Sequence, residues 1–169
     1  MEGVTMIPLE LLRRFPFFSF MDDKELKAVS TIAQDLHLKA GDVLIEASKP
    51  ADDLYFLIEG HLPYYMVVTT EHIPDYRREY FIGYINPEEI FGISALIEPY
   101  HYTASLRAEG PCRVIRIDAS ALRALCEVDS HLSIGMMKAV AKAAMERLQM
   151  TRVQLVAETL KTEKESEAQ

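Results

Sequence analysis

The chain has 169 residues, of which 49% are hydrophobic, so it is expected to form one domain, or one domain with an appendage, around a full core. Its formal net charge of −8 at pH 7 disfavours nonspecific binding to nucleic acids or anionic lipids, because no positive field attracts the polyanion. Its apolar runs are too short to span a membrane and its N-terminus lacks the pattern of a secretory signal, so a cytoplasmic location is expected.

The N-terminal segment is predicted to be helical and to pack on the main body of the domain. Leu9, Leu11 and Leu12 have nearly helical spacing, and the phenylalanine-rich stretch FPFFSF follows them. The next segment, DDKELKAVSTIAQ, predicts a helix capped by Asp22, because Asp22 followed three residues later by Glu25 is the pattern of a capping box.

Short segments rich in β-branched and aromatic residues run from about Leu36 to Asp118. Turn signals made of Gly, Pro, Asn, Asp and Ser separate them, and this spacing is typical of a β-sandwich or barrel. The stretch TTEHIPDYRR is predicted to be an exposed hairpin tip. The fold class expected from the sequence is therefore mainly β, with flanking helices.

Helical patterns return after Asp118, which is predicted to cap a helix over DASALRALCEV. A longer helix is predicted from about Ser130 to Leu160, where the chain contains no proline. Its apolar stripe, with steps of three and four residues, is close to a coiled-coil seam. The stripe consists of Met137, Val140, Ala144, Leu148, Thr151 and Leu155. We expect packing on its own domain to cover only the first turns, so the outer half predicts a homodimer.

These patterns divide the chain into three parts. Residues 1–129 are predicted to hold the N-terminal helices, the β domain and a hinge helix. Residues 130–160 are predicted to form the long dimerisation helix. Residues 161–169, KTEKESEAQ, are charged and lack large apolar groups, so a disordered tail is expected.

Three glycines punctuate the predicted strands: Gly41 in KAGDVLI, Gly60 in LYFLIEGHL and Gly92 in EEIFGISAL. Together with the order of the elements, they make residues 8–157 resemble the cyclic-nucleotide-binding domain, the sensor half of catabolite-activator-type regulators. The resemblance implies a β-roll of the jelly-roll type, with N-terminal helices and a long C-terminal helix. It also implies a phosphate-binding cassette that begins near Gly92.

This cassette departs from the family's pattern at both residues that recognise the nucleotide. In the family it reads Phe-Gly-Glu, then a short helix, and later an Arg followed by a small residue and Ala. Phe91 and Gly92 match, but Ile93 replaces the glutamate that holds the ribose hydroxyl. Tyr102 replaces the arginine that pairs with the cyclic phosphate, and Glu88 replaces a glycine often found in the preceding turn. The small residues are retained as Thr103, Ala104 and Ser105.

The resemblance assigns a candidate ligand site to the cassette and one residue of the long helix. Its residues are Phe91, Gly92, Ile93, Ser94, Ala95, Tyr102, Thr103, Ala104 and Thr151, the last near where the family offers a hydroxyl to the base. Removing one partner of a buried charge pair costs about 3–5 kcal/mol, so cyclic AMP or cyclic GMP is not expected to bind by the usual contacts. The apolar lining suits a mostly apolar small molecule, or else it fills the space and leaves no pocket.

The predicted function is a non-catalytic sensor or regulatory module whose ligand is unknown or absent, and whose output passes to an unidentified protein. The alternative is a signalling protein that binds a cyclic nucleotide or another small anion in a noncanonical pocket. Relatives carry a helix-turn-helix after the long helix. Only AETLKTEKESEAQ follows here, so direct DNA binding is not expected.

Enzymatic and metal-dependent functions are not predicted. The histidines are scattered at His37, His61, His72, His101 and His131, and they form no short-spaced group with Cys112 or Cys126. The sequence contains no nucleophile motif of the Gly-x-Ser-x-Gly type and no phosphate loop of the nucleotide hydrolases. We therefore expect no catalytic residues, no metal ligands and no cofactor.

Overall fold

A computed structural model describes residues 2–70 and 72–167, which form nine β-strands and four α-helices. The strands are β1 (Glu2–Met6), β2 (Ala33–Leu38), β3 (Val43–Ile45), β4 (Asp53–Glu59), β5 (Leu62–Thr69), β6 (Arg77–Ile85), β7 (Ile90–Phe91), β8 (Ser105–Arg107) and β9 (Cys112–Asp118). The helices are α1 (Leu9–Leu12), α2 (Asp23–Thr31), α3 (Ala119–Val128) and α4 (Ser130–Glu167). Short 3-10 helices occupy Pro16–Phe20 and Ile93–Leu96.

The strands form two antiparallel sheets. One sheet has the strand order β1-β2-β9-β4-β7 and the other has the order β3-β8-β5-β6. Side chains from both sheets and from the helices belong to one buried apolar cluster, in which Phe56, Leu62 and Ile115 are fully buried. This architecture confirms the predicted fold class, a β-roll with N-terminal helices and a long C-terminal helix.

The first strand, β1, was not predicted from the sequence; it pairs with β2 at the edge of the five-stranded sheet. The expected packing of the phenylalanine-rich segment is confirmed. The rings of Phe15, Phe17 and Phe18 lie 5.0, 5.6 and 5.3 Å from the ring of Phe56 on β4. These aromatic contacts attach the N-terminal helices to the β-roll.

Both predicted helix caps are present. The Glu25 amide donates to the Asp22 carboxylate at 2.8 Å, and the Asp22 amide donates to the Glu25 carboxylate at 2.7 Å. At the start of α3, the Ala121 amide donates to the Asp118 carboxylate at 2.7 Å. These contacts satisfy amides that a helix leaves unpaired at its N-terminus.

The stretch TTEHIPDYRR joins β5 to β6, and its described residues are exposed or half-buried, as predicted. Nearer the core, the same strand pair contains a β-bulge. Tyr64 is opposite Gly83 whereas Tyr65 is opposite Phe81, so Ile82 is the extra residue. The Ile82 carbonyl accepts a hydrogen bond from the side-chain amide of Gln154 on α4. The bulge thus provides an attachment point for the long helix.

The inner face of α4 differs from the predicted stripe. Leu132, Met136, Val140 and Ala143 are buried against the rest of the domain. The assignment of Val140 to a dimer seam is therefore wrong, since only 5% of this residue is exposed in a single chain. The helix is apolar on two sides, and the predicted stripe combined residues from both.

Contact between α4 and the roll also extends further than predicted. Instead of ending after the first turns, it continues to Met150, which lies against Gly83, and to Gln154. The remaining predicted seam residues are exposed: Met137, Ala144, Leu148, Thr151 and Leu155. Their role in dimerisation stays a prediction.

The helix α4 continues to Glu167, beyond its predicted end at residue 160. Residues 161–167 are therefore helical, not a disordered tail, whereas residues 168 and 169 lie outside the described range. The segment contains no helix-breaking Gly or Pro, and Lys161 pairs with Glu158 at 2.7 Å across one turn. None of the described helices combines the length and the apolar character needed to cross a membrane.

Candidate ligand-binding site

A cavity of about 130 Å³ lies at the predicted cassette, between the Gly92 turn and α4. The structure brings most of the predicted site residues to its lining: Phe91, Gly92, Ile93, Ser94, Tyr102, Thr103 and Ala104. The lining is completed by Ile45, Tyr64, Ile85, Leu106 and Arg147. Whether these residues bind a ligand stays a prediction.

Two predicted site residues lie outside this lining. Ala95 is fully buried in the 3-10 helix that follows the turn. Thr151 is exposed on α4, and its hydroxyl donates to the Arg147 carbonyl of its own helix at 3.0 Å. The residue of α4 that reaches the cavity is therefore Arg147, one helical turn earlier.

The Gly92 turn has the backbone geometry that the retained glycine predicts. Gly92 has a φ of 69°, in the left-handed region, and an added Cβ would lie 3.1 Å from the Asp53 carbonyl oxygen. Both observations favour glycine at this position. Glu88, which replaces a glycine of the family pattern, also has a left-handed φ of 71°. Its amide donates to the Leu57 carbonyl at 2.8 Å, which holds the turn against β4.

Tyr102 occupies the place of the family's arginine, and its hydroxyl is bonded to the protein backbone. The hydroxyl donates to the Asp53 carbonyl at 2.8 Å and accepts from the Asp53 amide at 3.2 Å. Burial raises the pKa of Tyr102 to about 12, so the group is neutral at physiological pH. The residue therefore presents an uncharged aromatic ring to the cavity.

Tyr55 of β4 packs against Phe91 of the cassette. The rings of Tyr55 and Phe91 are stacked with centroids 5.1 Å apart. Burial is also the main cause of a raised pKa for the Tyr55 hydroxyl. Ile93, in place of the ribose-binding glutamate, adds another apolar side chain to the lining. This side of the cavity has the apolar character expected from the sequence.

The cavity nevertheless contains a charged side chain, which the sequence analysis missed. Arg147 is half-buried and lies between the 130 Å³ cavity and a neighbouring cleft of about 500 Å³. Its guanidinium donates to the Ile90 carbonyl at the start of β7. No described carboxylate forms a salt bridge with it. Burial lowers the pKa of Arg147, although an arginine remains protonated in proteins.

Tyr64 on β5 faces the same cavity. Only 7% of the residue is exposed, and its hydroxyl has no hydrogen-bond partner among the described residues. Burial raises the pKa of this hydroxyl, which is a donor at neutral pH. Arg147 and Tyr64 therefore supply two polar groups to a largely apolar space.

A signal for Arg147 was present in the sequence. Steps of four, three and four residues lead from Met136 through Val140 and Ala143 to Arg147, so the arginine continues the buried stripe. A charged residue at core spacing indicates a special environment. Tyr64, by contrast, lies in an aromatic strand segment and carries no comparable signal.

A second arginine connects the cassette to α3, which was predicted to be a hinge helix. Arg123 of α3 donates to the Ala95 carbonyl at 2.6 Å, and its guanidinium lies 4.2 Å from the centre of the Tyr100 ring. These contacts join the turn after Gly92 to the segment that leads into α4. Arg123 therefore links the cassette to α3, the helix that precedes α4.

Among the described residues, metal-binding groups are not assembled near the cavity. His101 is exposed, and its Nδ1 lies 2.8 Å from the Pro99 carbonyl oxygen. Across residues 2–70 and 72–167, no three His, Cys, Asp or Glu side chains are grouped so that they could hold a metal ion. Cys112 and Cys126 are both free thiols.

Comparison with known proteins agrees with the fold. The family model described as the cyclic nucleotide-binding domain matches residues 35–129. A protein from Geobacter metallireducens GS-15, named as cyclic nucleotide-binding, has a crystal structure with a TM-score of 0.72 and 34% sequence identity. The alignment covers 85% of this chain and 99% of that chain.

Two curated relatives are regulators. The cAMP-dependent protein kinase regulatory subunit of Dictyostelium discoideum is 23% identical over 118 residues, which cover 69% of this chain and 35% of that protein. The CRP-like cAMP-activated global transcriptional regulator of Mycobacterium tuberculosis is 23% identical over 133 residues, covering 79% of this chain and 57% of that protein. The chain thus spans about a third and just over half of the lengths of these relatives. The extent of the family match shows that the chain belongs to the cyclic nucleotide-binding domain family.

Proposed function

We propose that this domain is a non-catalytic sensor or regulatory module that does not take cyclic AMP or cyclic GMP through the family's usual contacts. The observation that carries the proposal is Tyr102 at the arginine position, with its hydroxyl bonded to the Asp53 backbone. The cavity of about 130 Å³ also lies below the roughly 300–1,000 Å³ typical of pockets that bury a drug-sized ligand.

The missing charge has a large expected effect on nucleotide affinity. Leaving one member of a buried ion pair without its partner costs about 3–5 kcal/mol. This cost corresponds to roughly two to four decades in the dissociation constant. Ile93 stands in place of a glutamate, so a further hydrogen-bond acceptor is missing. Its loss weakens the binding free energy of the nucleotide by about 1 kcal/mol more.

Thermal melting with added nucleotide tests the proposal. We expect neither cyclic AMP nor cyclic GMP at high micromolar concentration to raise the melting temperature. A clear rise with either nucleotide would contradict the proposal. Repeating the measurement on Arg147→Met would then identify the source of the affinity, because this variant removes the cavity's charge and keeps an apolar side chain of similar length.

A second candidate function is supported by Arg147. A signalling domain could bind a cyclic nucleotide or another small anion if the guanidinium on α4 replaced the one expected at position 102. This alternative predicts a melting shift that Arg147→Met abolishes. It also requires the cavity and the neighbouring cleft of about 500 Å³ to join, because the nucleotide would need both spaces.

In the proposed module, ligand occupancy is passed to α3 and α4. Arg123 connects the cassette to α3, and Arg147 connects the cavity to α4. The output is a change in how α4 is presented to a partner subunit and to an unidentified output protein, without direct contact with DNA. A cytoplasmic location and the absence of a bound cofactor remain predictions from the sequence.

We further propose that two copies associate through the outer face of α4. Met137, Leu148 and Leu155 are exposed on this face, together with Ala144. Leu148→Asp should shift the protein toward the monomer, because it places a charge in the apolar seam. Light scattering measures the mass, and Gln149→Asp is the control because it adds the same charge at a neighbouring exposed site. An unchanged mass for Leu148→Asp would contradict the proposed seam.

A further inference from the structure

We propose that the cavity at the Gly92 turn binds a small monocarboxylate with a short apolar body, whose carboxylate contacts Arg147 and Tyr64. This inference rests on the proposed function, because it assigns a class of ligand to the sensor site. Three observations carry it: an arginine without a described acidic partner, a buried tyrosine hydroxyl without a described partner, and a small apolar space beside them.

The first observation concerns the charge of Arg147. A guanidinium has five N–H donors, and among the described residues this one donates to the Ile90 carbonyl. A carbonyl is neutral, so this bond leaves the positive charge without an anionic partner. Burying such a charge is unfavourable unless an anion compensates it. The side chain is therefore suited to binding an anion that enters the cavity.

The nearest acidic side chains attract Arg147 but do not form a salt bridge with it. Glu89 is close enough to attract Arg147, but both oxygens of its carboxylate already accept hydrogen bonds from Asn86. These bonds are 3.1 Å long from the backbone amide and 3.2 Å long from the side-chain amide. Glu146 precedes Arg147 on the exposed surface of α4. Neither residue forms a salt bridge with the guanidinium.

The second observation concerns the Tyr64 hydroxyl. It is buried, it lines the same cavity as Arg147, and it has no hydrogen-bond partner in the described part of the chain. A buried hydroxyl without a partner costs about 1–3 kcal/mol. A carboxylate oxygen in the cavity would accept a hydrogen bond from it, while the guanidinium neutralises the charge.

The third observation concerns size and lining. Beside the two polar groups, the walls are formed by apolar side chains: Ile45, Ile85, Phe91, Ile93 and Leu106. Inorganic phosphate would place several oxygen atoms against these walls, which is costly without donors. A monocarboxylate has its two oxygens at one end and an apolar body at the other. Its shape therefore matches the distribution of polar groups better than phosphate does.

Binding at this position would act on the long helix directly. Arg147 belongs to α4, whereas the Ile90 carbonyl that it contacts belongs to the β-roll. A carboxylate would attract the same guanidinium more strongly than the neutral Ile90 carbonyl does. The ligand would therefore change the attachment of α4 without needing the family's arginine.

The test uses the full chain with sodium butyrate and sodium benzoate as probes, and with butyramide and benzamide as neutral matches. Binding is measured by titration in two-dimensional NMR spectra, with inorganic phosphate as a separate probe. We expect saturable shifts for a carboxylate at residues around Gly92 and Arg147. We expect no saturation with the amides or with phosphate.

Variants then locate the binding groups. Arg147→Met should weaken carboxylate binding by about tenfold to a hundredfold, because it removes a charge-assisted hydrogen bond. Tyr64→Phe should weaken it by about threefold to tenfold. The matched controls are Arg152→Met and Tyr80→Phe, which alter exposed residues of α4 and β6 and should bind as the wild type does.

The proposal is overturned if neither carboxylate saturates, if the amides bind equally well, or if Arg147→Met binds like the wild type. Stronger binding of phosphate than of either carboxylate also overturns it. Should Arg147→Met fail to fold, the comparison of the acids with the amides on the wild type still tests whether the cavity binds a carboxylate. A negative result with carboxylates leaves the proposal about cyclic nucleotides standing, because that proposal is contradicted only by a melting shift with the nucleotides.

Discussion

Residues 130–146, the first half of α4, are held on the domain by close packing, whereas residues 147–167, the second half, contact it through long side chains. In the first half, Leu132 and Met136 are fully buried. The backbone at Gly135 lies against the Phe20 ring so closely that an added Cβ would be 2.1 Å from its Cε2 atom. This part of the helix has one tightly packed arrangement.

The second half contacts the β-roll through exchangeable groups. Arg147 donates to the Ile90 carbonyl, Gln154 donates to the Ile82 carbonyl, and the flexible side chain of Met150 covers Gly83. The two hydrogen bonds can be replaced by bonds to water or to a ligand at a modest free-energy cost. The comparison indicates that the first half is the fixed end of α4 and that a ligand in the cavity acts on the second half.

The largest effect on stability is expected when a methionine in the closely packed first half of α4 is truncated. Met136→Ala should lower the free energy of unfolding by about 2–5 kcal/mol, because it leaves a cavity at a fully buried position. The matched change Met145→Ala, at a residue that is 71% exposed, should alter it by only about 0.5 kcal/mol. Urea unfolding measures both values. Equal effects would remove the distinction between the two faces of the helix.

A smaller loss of stability is expected when the contact between Gly135 and Phe20 is disturbed. Gly135→Ala should lower the free energy of unfolding by about 1–3 kcal/mol, because the new methyl group overlaps the Phe20 ring. At Gly110 an added Cβ meets nothing within 4 Å, so Gly110→Ala is the control and should not destabilise the protein. A neutral Gly135→Ala variant would show that the ring moves aside, and that packing does not fix this end of α4.

Loss of a contact in the second half of α4 should affect only that part of the helix. Gln154→Ala removes one hydrogen bond to the roll, which is worth about 0.5–1.5 kcal/mol, and the exposed position places the effect at the low end. We expect faster amide hydrogen exchange in the second half of α4 and unchanged exchange near Met136. Gln149→Ala is the control, since this exposed glutamine makes no hydrogen bond with any described residue of the roll. Faster exchange along the whole helix would mean that the two halves behave as one unit.

The smallest expected effect is a pH dependence at the start of α4. His131 Nδ1 lies 2.6 Å from the buried Glu25 carboxylate, and this hydrogen bond is the main cause of a raised His131 pKa, with attraction to Glu25, Asp129 and Asp22 adding to it. A histidine whose folded-state pKa is raised above its usual 6.5 stabilises the fold below that pH, and the contribution is lost as pH rises through the folded pKa.

The wild type should therefore lose stability relative to His131→Gln as the pH rises above 6.5. Urea unfolding at a series of pH values measures the difference. An NMR titration of His131 in Glu25→Gln, which keeps a capping side chain, should give a lower midpoint than in the wild type. Identical pH profiles for the wild type and His131→Gln would show that the contact does not couple α2 to α4.

Local signals explain which parts of the fold were predictable. The capping box at Asp22 and the cap at Asp118 depend on residues only three positions apart, and both are present. The strand β1 was missed because its conformation depends on pairing with β2, about thirty residues away. The end of α4 was placed too early because a charged composition was interpreted as disorder, although those residues favour a helix.

In the candidate site, too, the residues of a local motif were predicted, whereas those whose position depends on tertiary packing were not. The turn and strand of the cassette were predicted because the Phe91–Gly92 motif and the small residues from 103 to 105 lie in one short segment. Arg147 was missed because its approach to the cavity depends on the rotation of α4 about its own axis. Val140 was assigned to the wrong face for the same reason, since both sides of this helix carry apolar residues.

The contact between Gly135 and Phe20 is a fulcrum, that is, a fixed point about which α4 would tilt. At 1.5 Å per residue, Leu160 lies about 38 Å from this point, so a tilt of about 10° displaces it by about 6 Å. Because Arg147 is closer to the fulcrum, a movement there of about half that size suffices to produce it. A tilt about this contact would make the helix a lever arm, in which a movement near Arg147 is about doubled at Leu160.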